Sequence, residues 1–81
     1  MDSNEILKQV NSIFIEVLDN ENIQLKRETT SNDIDDWDSL NNIQLVVAIE
    51  KHFEQKFTSK EIQEWKNVGE MCDAIARRIK N

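Results

Sequence analysis

The sequence predicts an all-α domain, a small bundle of three main helices plus one short helix, with a long loop between the first and second helices. Pro is absent and Gly occurs once, so little interrupts helix formation. Apolar residues recur at helical spacing in three separate stretches. At 81 residues, 38% hydrophobic and 32% charged, the chain suits one compact domain better than a disordered segment, and residues 1–81 are expected to form a single unit.

In the first stretch Ile6, Leu7, Val10, Ile13, Phe14, Val17 and Leu18 share one helical face, while Ile15 falls outside it and is left to the loop or solvent. Asp2 or Ser3 can cap this helix, and Asp2 with Glu5 has capping-box spacing. Mostly polar residues follow from Asp19 to about Asp38, broken by Ile23, Leu25 and Ile34. A connection of about 20 residues is unusual in a small domain unless it has a function. Those three aliphatics are the residues that would pin it to the core.

The second helix is expected from Ser39 to Phe53. Thr58 and Glu61 then have capping-box spacing and open the short helix, which contains Ile62 and Trp65. Asn67 and Glu70 repeat the spacing, and Val68, Met71, Cys72, Ile75 and Ile79 form one apolar face of the last helix. Arg77, Arg78 and Lys80 fall in its final turns, where cations suit the negative end of the helix dipole.

The formal net charge of −6 argues against a nucleic-acid partner, which needs clustered Lys and Arg, and favours a partner with a basic patch. The lone Cys72 excludes an internal disulfide and fits a reducing compartment. No apolar run approaches the ~20 residues of a membrane span, and the first residues lack a signal-peptide pattern. A cytoplasmic monomer is the expectation.

The second helix has one apolar stripe too many. Leu45, Val46, Ile49 and Phe53 fall in one sector roughly 100° wide, the natural core face. Leu40, Ile43 and Val47 form a second stripe centred roughly 140° away. Glu50 and Glu54 lie on or beside it. Two placements are open: the second stripe packs under the long loop, or it is an exposed strip edged with acids that binds a partner.

Ser39 stands at the N-terminal end of that strip. A serine before an apolar helix is most often a cap. Asp38 is at least as good a cap, which would leave Ser39 in the first turn with its hydroxyl outward. A helix N-terminus favours an attached phosphate, although the nearby acids oppose it. Asp38 also offers carboxylate oxygen that suits Mg²⁺ during attachment.

Asp38-Ser39-Leu40, followed by Ile43, Leu45, Val46, Ala48, Ile49, Glu50 and Phe53, resembles the acyl carrier protein family. The likeness extends over nearly the whole chain. It implies that Ser39 carries a covalent 4'-phosphopantetheine arm, added from coenzyme A by a Mg²⁺-dependent phosphopantetheinyl transferase, whose thiol holds acyl groups as thioesters. It implies that Asp38 supports attachment, that Leu40, Ile43 and Val47, edged by Glu50 and Glu54, meet the enzymes that load and transfer the acyl group, and that the carrier does no catalysis itself. The chain departs from many fatty-acid carriers in having Trp37 before the motif, and Asn41, Gln44, Lys51 and His52 where those often have acids. An aminoacyl or other specialised-pathway carrier is therefore an alternative, and the cargo, whether fatty acid, polyketide or amino acid, stays open.

Other classes fit less well. Ser39 lacks the glycines of a nucleophile elbow, and the single His52 offers little for a triad. Cys72 lies on an apolar face, where packing is its expected role. A calcium loop begun at Asp33 would put Trp37 fifth and Gln44 twelfth, so no intrinsic metal site is expected. The strongest rival of another class is an unmodified acidic helical adaptor, which would share the exposed strip but not need a free Ser39 hydroxyl. Both tryptophans read as packing residues, with Trp37 close enough in sequence to touch an arm on Ser39.

Overall fold

A computed structural model describes residues 2–79. It contains α1 (Ser3–Leu18), α2 (Ser39–Phe53), the short α3 (Ser59–Glu64) and α4 (Val68–Ile79), and no strand among the described residues. The expected all-α bundle and the long α1–α2 loop are therefore present, and α2 has the bounds read from the sequence. Lys80, expected in the last turn of α4, lies outside the described residues.

Asp2, rather than Ser3, caps α1: its carboxylate accepts the Glu5 backbone N–H at 2.8 Å. The helix ends where Asp19 turns left-handed at φ 52° and its N–H returns to the Ile15 carbonyl. α1 packs against both α2 and α4 and supplies the centre of the core. Ile6, Val10 and Phe14 from α1, Leu45 and Ile49 from α2, and Val68, Cys72 and Ile75 from α4 are fully buried. Each large aliphatic among them contributes about 1.5–3 kcal/mol relative to exposure. Leu7, Val17 and Leu18, and also Ile15, pack half-buried against this core. Of the loop or solvent to which its angular position left Ile15, full exposure to solvent is not what is found.

The α1–α2 loop is held by specific bonds. Ile23 and Leu25 are buried, and Asn11 on α1 clips the backbone between them: its Oδ1 accepts the Leu25 N–H at 2.6 Å and its Nδ2 donates to the Ile23 carbonyl at 3.3 Å. The buried Thr29 closes a turn by accepting the Lys26 N–H at 2.9 Å. A 3₁₀ turn at Ser31–Asp33, capped by Thr30, interrupts what the sequence presents as open loop. Ile34 then packs half-buried against the core, as expected of the third aliphatic.

The same loop completes the N-terminus of α4. Val68 N–H donates to the Thr29 carbonyl at 2.9 Å and Gly69 N–H to the Arg27 carbonyl at 2.8 Å. Two of the donors that a helix start leaves unpaired are thereby satisfied. The Arg27 guanidinium spans back to Ser3 at 2.7 Å and Asp73 at 2.8 Å, and the Asp73 carboxylate raises the Arg27 pKa first by that hydrogen bond and then by its charge. Asn67 Oδ1 accepts the Glu70 N–H at 2.9 Å, while the Glu70 carboxylate reaches the Lys66 N–H at 2.7 Å instead of closing the box on Asn67.

α3 is short and is fixed at its start. Thr58 and Glu61 form the full reciprocal capping box anticipated from their spacing, at 3.1 Å in both directions. Arg78 on α4 pairs with Glu61, bonds the Lys56 carbonyl at 2.8 Å and stacks over Phe57 at 5.2 Å. The Thr58 N–H, and then Arg78, hold the Glu61 carboxyl below the usual carboxylate range. Arg78 thus ties a short helix with no buried residue of its own to α4.

Candidate functional site

The start of α2 is built from the residues just before it. Trp37 closes a turn onto the Ile34 carbonyl at 3.1 Å, and its indole stands edge-on to the buried Phe14 ring with centroids 4.9 Å apart. Its Nε1–H donates to Asn42 Oδ1 at 2.9 Å, which ties the residue before the helix to the helix's first turn. Asp38 is extended and caps α2, its carboxylate accepting the Asn41 N–H at 2.8 Å; the Asn41 side chain donates in turn to the Asp36 carbonyl at 2.7 Å.

Ser39 is the first residue of α2 and is exposed. Asp38 does the capping, so the Ser39 hydroxyl bonds to none of the described residues and is available for chemistry.

The two apolar stripes of α2 separate cleanly. Leu45 and Ile49 are fully buried and Val46 nearly so, whereas Leu40, Ile43 and Val47 are 68%, 64% and 43% exposed. The loop does not cover the second stripe, which runs from beside Ser39 along the outer face of α2. The two acids expected to edge it differ. Glu54 is exposed and ends the helix in the left-handed region at φ 55°. Glu50 is half-buried, and one of its oxygens accepts the Phe57 N–H at 2.9 Å, so it also holds the α2–α3 connection.

A cleft of about 450 Å³ opens beside Ser39, lined by Trp37, Asn42, Ile62, Trp65, Asn67 and Met71 among others. It draws on the α1–α2 loop, α2, α3 and the start of α4, elements that adjoin only in the fold. Asn42 and Asn67 carried no functional signal in the sequence beyond, for Asn67, a cap.

The other chemistry-bearing side chains stand apart from this site. His52 pairs with Gln9 at 2.6 Å across α1 and α2, and Cys72 is buried in the core, where desolvation pushes its thiol up to about 11. Neither lines the cleft, and no group of three or more His, Cys, Asp or Glu among the described residues could hold a metal ion. No helix among the described residues is long and apolar enough to cross a membrane.

A family model described as a phosphopantetheine attachment site matches residues 8–75. An acyl carrier protein of Porphyromonas gingivalis is 32% identical over 77 residues, covering 94% of this chain and 97% of the relative. One from Borreliella burgdorferi is 30% identical over 78 residues, covering 96% and 98%. The solution structure of the holo acyl carrier protein from Geobacter metallireducens superposes with a TM-score of 0.84 at 41% identity, over 94% of this chain and 92% of that one.

Proposed function

This chain belongs to the acyl carrier protein family, whose members hold phosphopantetheine covalently, and from that premise we propose that Ser39 is the attachment residue and the Leu40–Ile43–Val47 strip the surface read by partner enzymes. The observation that carries this reading is the unpartnered, exposed Ser39 hydroxyl at the first residue of α2, at one end of an uncovered apolar strip. When bound, the arm supplies a thiol that holds acyl groups as thioesters.

The chain's own residues do three things. The first turn of α2 offers unpaired N–H groups and the positive end of the helix dipole to a phosphodiester on Ser39. Asp38 fixes that turn with one carboxylate oxygen and leaves the other to help hold the Mg²⁺ brought by a phosphopantetheinyl transferase. Leu40, Ile43 and Val47 give apolar area to docking enzymes, and Glu54, with the outer side of Glu50, gives them negative charge to meet a basic patch. The chain acts as a monomeric single carrier domain over residues 1–81 in the cytoplasm and catalyses nothing itself.

Asn41, Gln44, Lys51 and His52 on α2 replace acids common in fatty-acid carriers, which supports a dedicated pathway with its own loading enzyme over general fatty-acid synthesis. Efficient elongation of this carrier's acyl chain by a general fatty-acid synthase would count against that assignment. The attachment itself is tested by intact mass after incubation with coenzyme A, Mg²⁺ and a broad-specificity transferase. The wild type is expected to gain one phosphopantetheine arm and Ser39→Ala none; an equal gain in both moves the site elsewhere.

A further inference from the structure

By formal charge α2 carries one anion and one cation, Glu50 and Lys51, and the fold uses them differently. Glu50 is half-buried and one of its oxygens accepts the Phe57 N–H at 2.9 Å, so part of its charge is directed inward. Lys51 is exposed and makes no hydrogen bond or ion pair among the described residues. Glu54, the exposed carboxylate that ends the helix, does not pair with it. In a chain of net charge −6, the full charge that α2 itself turns outward is therefore a cation.

The place of that cation matters. Lys51 stands one turn beyond Val47, and at about 100° per residue it falls within roughly 40° of Val47 and roughly 20° of Leu40. It thus continues the exposed Leu40–Ile43–Val47 strip. At the opposite end of the strip Asp35, Asp36 and Asp38 are exposed beside Ser39. The rise of α2 from Ser39 to Lys51 is about 18 Å. That exceeds the ~8 Å over which exposed charges act at physiological ionic strength, so a partner meets the acids and the cation as separate poles. A docking face that is basic along its whole length matches the first pole and places like charge against the second. Like-charge contacts reject wrong partners more effectively than matched contacts reward right ones.

We propose that Lys51 is a specificity-determining residue of the docking strip: it pairs with a carboxylate on the enzymes that load this carrier and turns away enzymes whose docking face is uniformly basic. The inference rests on the strip being the surface read by partner enzymes. The matching face carries cations near Ser39, an apolar hollow for Ile43 and Val47, and a carboxylate about 18 Å from the attachment end. Such a polar strip also admits its partner in one direction only.

The test uses the full chain as wild type, Lys51→Gln and Lys51→Glu, with unchanged thermal midpoints confirming the fold. The probe is a phosphopantetheinyl transferase with a uniformly basic docking face, together with variants in which each docking Lys or Arg in turn is changed to Glu. Loading on Ser39 is followed by intact mass. With the unaltered transferase KM is expected to fall from wild type through Lys51→Gln to Lys51→Glu, about fivefold overall at low salt, with kcat unchanged and the difference shrinking as salt is added. With one of the charge-reversed transferases the order should invert, the wild-type carrier having the lowest KM. Equal KM for the three carriers overturns the role of Lys51, and if Ile43→Ala still raises KM the docking strip stands without it. Silence of both positions overturns the strip as well. A fall in KM with the unaltered enzyme but no inversion with any reversed one overturns the pairing with a carboxylate.

Discussion

The indole of Trp37 stands edge-on to the ring of Phe14, 4.9 Å between centroids and 87° between planes. The residue two positions before Ser39 is thereby anchored in the hydrophobic core, and its Nε1–H reaches forward to Asn42. The placement of the exposed serine is thus set from inside the molecule. Aromatic pairs of this geometry add about 0.5–1.5 kcal/mol beyond the area they bury. Trp37→Ala is expected to destabilise the fold by about 3 kcal/mol in urea titration. Trp37→Phe, which keeps the ring but loses the Asn42 bond, should lose roughly half as much or less. A loss below about 0.5 kcal/mol for the alanine variant, the range of ordinary surface changes, would mean the contact carries no weight.

The exposed strip and the core stripe of α2 should separate in mutagenesis. Ile43→Ala, at a 64% exposed position, is expected to change stability by less than about 0.5 kcal/mol. Ile49→Ala, at a fully buried one, should cost about 2–5 kcal/mol. If the strip is a docking surface, Ile43→Ala slows arm transfer to Ser39 about tenfold through a higher KM, equivalent to about 1.4 kcal/mol of binding. Unchanged transfer kinetics would remove Ile43 from that surface.

Gly69 is tight against the loop. A Cβ there would lie 3.0 Å from the Arg27 carbonyl oxygen and 3.1 Å from the Arg27 Cβ. The same carbonyl accepts the Gly69 N–H at 2.8 Å, so it cannot retreat without losing that bond. Gly69→Ala gains about 1 kcal/mol of helix propensity and is nonetheless expected to destabilise by about 1 kcal/mol net, because the crowding outweighs it. Thermal unfolding measures the sign, and a raised midpoint would show that the loop yields freely.

Cys72 predicts the alkaline limb of stability. Burial raises its thiol from 9.0 to about 11 in the folded chain. Below the unfolded value both states keep the proton and stability is unaffected. Between the two values the unfolded chain loses its proton first, so stability falls as pH rises through this window and the loss is complete above the folded value. The difference in stability between wild type and Cys72→Ala should therefore shrink as pH rises from 9.0 to about 11. A difference that holds constant across the window would mean the thiol is not held neutral by burial. At neutral pH the thiol should resist alkylation until the chain unfolds.

The helices were legible in the sequence because each carries its own period and its own caps: Asp38 before Ser39–Phe53, and the Thr58–Glu61 box before Ser59–Glu64. Periodicity also separated Leu40, Ile43 and Val47 from the core stripe, although only the structure decided that the loop leaves them uncovered. The loop's interior was not legible. Asn11 reads as an ordinary polar position on α1, and its bonds to Ile23 and Leu25 join residues 12 and 14 apart with no periodic signature. The cleft was hidden for the same reason, since Asn42 and Asn67 approach only after four segments have packed. The exposed, unpartnered serine was foreseeable because the rival cap sits next to it in the chain.

The hydrogen bonds from Val68 and Gly69 to Thr29 and Arg27 also bear on how the chain reaches its native state. The first turn of α4 is finished by carbonyls about 40 residues earlier in the chain, so that end of the helix cannot be completed by local folding alone. Its closure is a long-range event that must overcome loop entropy before it gains the contacts. In hydrogen-exchange terms the middle of the α1–α2 connection and the start of α4 are expected to open and close together, because each holds the other's backbone. A stretch of loop between α1 and α2 thus bears on when the last helix is whole.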